Sequence, residues 1–135
     1  MDKYLDETHR NIREVLDRVE NAFLDGTDSK TLIDLMYNDD VIFVGEGESS
    51  AMRGIAEMVM KAESVLAGMG PHPKVSFVIA SPILCCEDLA ITMIDAVACS
   101  GPATADTLKS RMLAGWKKSD LGWRISMEMV TEGSL

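Results

Sequence analysis

The stretch Leu35–Ser49, LMYNDDVIFVGEGES, decides the fold of this 135-residue chain. An apolar-periodic segment ends at the turn-forming residues Asn38 and Asp39, and the run VIFV, Val41–Val44, follows. β-Branched and aromatic residues of this kind favour a strand. The Gly-Glu-Gly-Glu run that follows is typical of a hairpin connection. The stretch therefore predicts a helix end, a turn and a first strand, and its four carboxylates are either a site or solvated turn residues.

Two helices are predicted before this stretch and one after it. Apolar residues recur at helical spacing from 4 to 25, and a glycine that follows is a typical helix stop. Asp28 or Ser29 caps a short second helix by accepting its free amide protons. After a second short strand, Gly54 opens a third amphipathic helix, which a Gly/Pro-rich segment ends.

Everything after Lys74 has the pattern of long strands separated by turn signals, one of them at Gly101-Pro102. Helices followed by consecutive antiparallel strands indicate an α+β domain. We expect one domain over residues 1–135, in which a curved antiparallel sheet wraps the three helices as a cone. The open end of the cone is the expected ligand site.

The composition restricts the possible partners and location. A net charge of −9 argues against nucleic acid and against an anionic membrane surface. No apolar run approaches the ~20 residues that cross a bilayer, and the polar N-terminus carries no signal peptide. Three cysteines, an odd number, favour reduced thiols in the cytoplasm. No His/Cys spacing indicates a metal site, and we expect no cofactor.

The order of elements and three motifs resemble the nuclear-transport-factor-2-like superfamily, including SnoaL-like polyketide cyclases and ketosteroid isomerases. The motifs are LMYNDDVIFVGEG (35–47), MRGIAEMVMKA (52–62) and RMLAGWKKSDLGWRISMEMV (111–130). The resemblance covers essentially the whole chain and implies the cone fold and a homodimer through the outer face of the sheet. It also implies that Asp39 and Asp40, before the first strand, are structural.

The steroid-isomerase residues of that family are not matched. The family places its general base near the end of the first strand, where this chain has Gly45, and Glu46 follows one residue later. Glu46 would point inward only if a bulge re-aimed it. The resemblance implies a tyrosine near Val19 and an aspartate at Met112 or Ala114, and neither is present.

The last strand is predicted to face the cone with its apolar residues. Alternation then puts Arg124 and Glu128 on the outer face. A second branch of the family has His-x-His where this chain has Met127–Met129, so that pattern is not matched either. A turn at Asp120-Leu121 extends the apolar face to the preceding strand. The predicted cone lining of these two strands includes Met112, Trp116, Trp123, Met127 and Met129.

Asp95 is the predicted catalytic residue, with Glu46 as a second candidate. In ITMIDAVACSG, Asp95 shares a face with Met93 and other apolar residues. An unpaired buried carboxylate is costly, so it pairs, finds hydrogen bonds or holds its proton. With a raised pKa it can transfer protons near neutral pH. Two alternatives remain: the strand faces the other way and leaves Asp95 at the surface, or Asp95 is a partnered structural residue.

The sequence therefore predicts a Met-rich apolar pocket for a small hydrophobic molecule. Its function is either that of a cofactor-free cyclase, isomerase or dehydratase using a pocket carboxylate, or that of a non-catalytic ligand-binding or dimeric assembly module. Besides the residues of the last two strands, the predicted ligand contacts are Val19, Phe23, Tyr37, Phe43, Met58 and Met93.

Overall fold

The computed structural model describes residues 3–70, 72–80, 83–99 and 107–132. Within these ranges the chain forms three helices and seven strands. The predicted turn at Gly101-Pro102 lies outside the described residues. The elements are α1 (Lys3–Leu24), α2 (Ser29–Met36), β1 (Tyr37–Gly45), β2 (Met52–Arg53), α3 (Gly54–Met69), β3 (Lys74–Ile79), β4 (Leu84–Cys86), β5 (Leu89–Cys99), β6 (Thr107–Ser119) and β7 (Gly122–Glu132).

The helices begin and end where their sequence signals predict. Asp28, not Ser29, caps α2: its side chain accepts a hydrogen bond from the Thr31 amide at 2.8 Å. Gly54 starts α3 with a φ of +82°, a left-handed conformation that favours glycine. Ile12 and Leu16, in the apolar stripe of α1, are fully buried.

The sheet is curved and mixed, in the order β2-β1-β7-β6-β5-β3, and β4 also pairs with β5. Five strand pairs among the described residues are antiparallel, as predicted, and one, β1 with β7, is parallel. No hairpin joins these two strands, so the chain does not force them to run in opposite directions. The run predicted as one strand after Lys74 is divided into β3 and β4, which pair with successive parts of β5.

The core lies between α1 and the inner face of the sheet. Trp116 of β6, Trp123 of β7 and Ile94 of β5 are buried there against the apolar stripe of α1. The Trp116 indole N–H donates to the Thr92 hydroxyl at 2.8 Å, so both polar groups are satisfied within the core. This packing closes the narrow part of the cone and leaves its other end for the site.

A bulge in β7 reverses the predicted alternation of that strand. Trp116 pairs with Ile125 as predicted, but Gly115 pairs with Met127, so one extra residue, Ser126, lies between them. A one-residue shift moves every later side chain to the opposite face. Met127 and Met129 are therefore half-exposed on the outer face of the sheet, and their predicted position in the cone lining is wrong. Glu128, predicted outside, is only 1% exposed on the inner side.

Candidate functional site

The open end of the cone holds a cavity of about 340 Å³ between the helices and the sheet. A volume of this size suits a small organic molecule. Most of its lining is apolar, and six of the predicted ligand contacts are part of it. These six are Val19, Phe23, Tyr37, Phe43, Met58 and Met112.

The other predicted contacts do not line this cavity. Trp116 and Trp123 are buried in the core at the closed end of the cone. Met127 and Met129 lie on the outer face because of the bulge, and Met93 lies there because β5 presents its alternate residues, Thr92 and Ile94, to the core. The methionine-rich lining predicted for the last strands is therefore wrong at these positions.

The deepest polar group in the cavity wall is the Glu128 carboxyl. The Tyr37 hydroxyl donates to Glu128 Oε1 at 2.8 Å, and Oε2 is buried with no hydrogen-bond partner among the described residues. Burial raises the pKa of Glu128 to about 8, although the hydrogen bond from Tyr37 acts in the opposite direction. Burial, followed by the nearby Glu128 charge, raises the pKa of Tyr37 well above its usual value. Glu128 therefore gains and loses a proton near neutral pH, whereas Tyr37 keeps its own.

The segment after α2 positions both members of this pair. Tyr37 pairs with Ile125, and the register of β1 against β7 then shifts before Ile42. The Asn38 amide fills this irregularity: its Nδ2 donates to the Arg124 carbonyl at 3.2 Å and to the Ser126 hydroxyl at 2.8 Å. The bulge residue Ser126 is thus held by a side chain of β1. The predicted turn at Asn38 and Asp39 is wrong, because both residues lie within β1, which begins directly after α2. Asp40 is structural, as the resemblance implies, because its Oδ1 accepts from the Ser126 hydroxyl at 3.4 Å.

Charged side chains surround the mouth of the cavity, where Glu46, Glu48, Lys61 and Glu132 line it. The Lys61 ammonium lies 3.0 Å from Glu48 Oε1. The Glu46 carboxylate accepts a hydrogen bond from the backbone N–H of Glu132 at 2.7 Å. Glu46 therefore lies at the exposed rim, and it ties the β1–β2 connection to the end of β7.

Asp95 lies on the outer face of the sheet, so its predicted placement in the cone is wrong. The Arg111 guanidinium donates to both of its oxygens, from Nε at 2.8 Å and from Nη2 at 3.1 Å. These hydrogen bonds lower the pKa of Asp95, the opposite of what a proton carrier at neutral pH needs. Both alternatives to catalysis hold together: the strand turns Asp95 to the outer face, and Asp95 is partnered there by Arg111. Ile91 and Met93, which alternate with the core-facing residues of β5, lie on the outer face with Asp95, and Ile91 is half-exposed there.

Within the described ranges of the chain, neither a metal-ligand cluster nor a membrane-spanning helix is present. No group of three or more His, Cys, Asp or Glu side chains there is arranged to hold a metal ion. No helix in those ranges is long and apolar enough to span a bilayer.

Solved structures share this architecture at low sequence identity. A nuclear-transport-factor-2-like protein with a cystatin-like fold from Novosphingobium aromaticivorans has a TM-score of 0.74 and 19% identity over 97% of this chain and 86% of its own. A ketosteroid isomerase-like protein from Erwinia carotovora atroseptica has a TM-score of 0.69 and 18% identity over 100% of both chains. A protein of unknown function from Shewanella oneidensis has a TM-score of 0.75 and 16% identity over 91% of this chain and 98% of its own.

No family model matches the sequence, and no curated protein matches it. At these identities the structural similarity establishes the fold and no specific reaction. The predicted resemblance is confirmed at that level: the chain has the cone-shaped α+β fold of the nuclear-transport-factor-2-like, or cystatin-like, proteins.

Proposed function

We propose that this protein binds a small, largely apolar molecule in the cone and that Glu128 exchanges a proton with it. The observation that carries the proposal is a carboxyl group buried in an apolar cavity, with one oxygen held by Tyr37 and the other unpartnered among the described residues. Such a group supplies the proton transfer that a cofactor-free cyclase, isomerase or dehydratase requires.

The protonation equilibrium of Glu128 suits this role. A general acid or base works best when its pKa lies near the working pH, and the pKa of Glu128 is about 8. Tyr37 keeps the carboxyl oriented, because its hydroxyl donates to Oε1 and leaves Oε2 for the bound molecule. We therefore assign proton transfer to Glu128 and positioning to Tyr37. This replaces Asp95 as the candidate pocket carboxylate.

Binding without chemistry is the second candidate function. Acid–base enzymes usually add a donor that stabilises the negative charge formed on the substrate. Tyr37 is the natural donor in this cavity, and its hydroxyl already donates a hydrogen bond to Glu128. Ser110 is the other neutral polar side chain in the described lining. The scarcity of free donors favours a binding module if the Tyr37 hydroxyl still donates to Glu128 when the ligand is bound.

A nitro-substituted benzisoxazole tests the proton transfer directly. It is a small, flat, uncharged molecule; loss of one C–H proton to a base breaks its N–O bond and releases a coloured cyanophenolate. We expect turnover that increases with pH as Glu128 ionises and that levels off above a pH of about 8. Replacing Glu128 by Gln should lower the rate by roughly 10²- to 10⁴-fold, the usual contribution of a positioned base.

Glu46→Gln is the matched control, because it changes the same functional group at the exposed rim. It should keep most of the activity. Protection of the protein against thermal unfolding by the benzisoxazole, without turnover, would favour the binding module. If the probe and a panel of apolar ketones and aromatics gave neither protection nor turnover, the proposal would be wrong.

The outer face of the sheet supports a second proposal, that two copies of the chain associate through it. Val44, Met129, Leu113 and Met93 are adjacent in one row across four strands, and the first three are more than one-third exposed. An apolar row of this kind marks an interface. Sedimentation should show a dimer that Leu113→Lys dissociates; a monomeric wild-type protein would overturn this proposal.

A further inference from the structure

We propose that the molecule bound in the cone is a hydrophobic amine, which enters as an ammonium ion and places its nitrogen against Glu128. This rests on the proposed function, because it assigns a chemical class to the ligand of the same cavity. Three features of the lining point to it: an incompletely paired buried carboxyl, a set of aromatic rings and an acidic rim.

The first feature is the unused hydrogen-bonding capacity of Glu128. One oxygen accepts the Tyr37 hydroxyl, while Oε2 has no partner in the described structure despite being buried. Buried polar atoms are normally paired, so an unpaired acceptor in a cavity wall indicates a donor on the ligand. A protonated amine supplies such a donor, and charge-assisted hydrogen bonds to carboxylates are among the strongest that proteins make.

The second feature is the aromatic content of the walls. The chain has three phenylalanines, and all three, Phe23, Phe43 and Phe77, line the cavity together with Tyr37. The face of an aromatic ring attracts a cation, most strongly where water is excluded. An apolar amine therefore finds favourable surroundings for its hydrocarbon part and for its charge in the same cavity.

The third feature is the charge at the entrance. Glu46, Glu48 and Glu132 line the rim, and Lys61, the basic residue in the described lining, is paired with Glu48. The chain as a whole has a net charge of −9. A rim of one sign concentrates ligands of the opposite sign and repels those of its own. Carboxylates, phosphates and thioesters of anionic carriers are thus disfavoured before they reach Glu128.

This ligand class also gives Glu128 a defined proton to move. When the ammonium lies at Oε2, transfer of one proton breaks an N–H bond and forms an O–H bond. The products are an uncharged amine, which has a free electron pair, and a neutral carboxylic acid. The apolar cavity lowers the free-energy cost of this transfer, because the ion pair buries two charges.

Three probes with the same aromatic body and different polar groups test the inference by calorimetry: naphthylmethylamine, naphthalenemethanol and naphthoate. We expect the amine to bind about 10- to 100-fold more tightly than the alcohol, as a buried charge-assisted hydrogen bond predicts. Naphthoate should bind most weakly. In Glu128→Gln the preference for the amine over the alcohol should disappear while the alcohol still binds. Glu132→Gln, at the rim, should keep the preference and reduce its salt dependence.

The possible results separate this inference from the proposed function. If the alcohol or naphthoate binds as tightly as the amine, the amine assignment is overturned and the ligand cavity stands. An amine preference that survives in Glu128→Gln would also overturn it, because the preference would then come from the rim alone. Failure of all three probes to bind would contradict the ligand cavity itself.

Discussion

Replacing Glu128 by Gln is expected to make the folded protein more stable at pH 9 and to leave its stability nearly unchanged at pH 5. The folded state holds the Glu128 proton with a pKa of about 8, against 4.5 for an exposed glutamate. The folded protein therefore binds more protons than the unfolded chain between these values, and stability falls as the pH rises. This contribution is fully present below pH 4.5 and is lost as the pH passes through about 8.

The size of the effect follows from the same two pKa values. Each pKa unit corresponds to ~1.4 kcal/mol, so the full difference is ~5 kcal/mol in the free energy of unfolding. Glutamine has the shape of a protonated glutamate, and its amide oxygen can still accept the Tyr37 hydroxyl. The wild-type protein should thus lose most of this ~5 kcal/mol, relative to Glu128→Gln, between pH 5 and 9. Tyr37 contributes nothing in this range, since its pKa is far higher.

Urea unfolding of both proteins at half-unit steps from pH 5 to 9 measures the difference. Comparing two variants cancels the pH dependence of all other groups, and Glu132→Gln controls for removal of a carboxylate at an exposed position. The control should follow the wild-type profile. Parallel profiles for the wild type and Glu128→Gln would refute the reasoning, because they would mean that Glu128 ionises alike in the folded and unfolded chains.

Three further substitutions test the parts of the site separately. Tyr37→Phe removes a hydrogen bond that lowers the pKa of Glu128. The midpoint of the benzisoxazole rate–pH profile should therefore move to higher pH, and an unchanged midpoint would contradict the pairing. Asn38→Ala removes the donor to Ser126 and should destabilise the fold by ~1–3 kcal/mol in urea and lower the proton-transfer rate; full activity would show that the bulge persists without it. Asp95→Asn should leave unchanged both the binding of the naphthyl probes and the rate–pH profile of benzisoxazole turnover. Weaker binding of the probes would mean that the outer face affects the cavity.

The sequence predicted the fold well because its signals are local. Helix spacing, the Asp28 cap and the left-handed Gly54 each depend on a few neighbouring residues. The turn before Gly122 likewise fixed the pairing of Trp116 with Ile125. The parallel pairing of β1 with β7 was not predicted, because these strands are far apart in the chain and are paired by tertiary packing.

The site was predicted less well than the fold, because a single extra residue in β7 determines which side chains of that strand face the cavity. A buried carboxylate in an apolar strand is costly unless it has a partner or a function. The sequence analysis predicts Asp95 as this carboxylate, whereas in the structure it is Glu128, within ISMEMV. Simple alternation assigned Glu128 to the outer face and Met127 to the cone. Alternation holds only without a bulge, and the bulge at Ser126 is held by Asn38, 88 residues earlier in the chain. No sequence pattern within β7 indicates the contact between Asn38 and Ser126.

The opening stretch therefore contributes to the site through Asn38, near the start of β1, more than through its glutamates. If β7 continued in regular register, Met127 and Met129 would fill the cavity and Glu128 would lie on the outer face with Asp95. The cavity would then be apolar throughout its depth and could bind but not exchange protons. Asn38 favours the bulged register because its amide donates to the Arg124 carbonyl and to the hydroxyl of the bulge residue Ser126. The side chain of Asn38 thus supports the register that places a carboxylate in the cone.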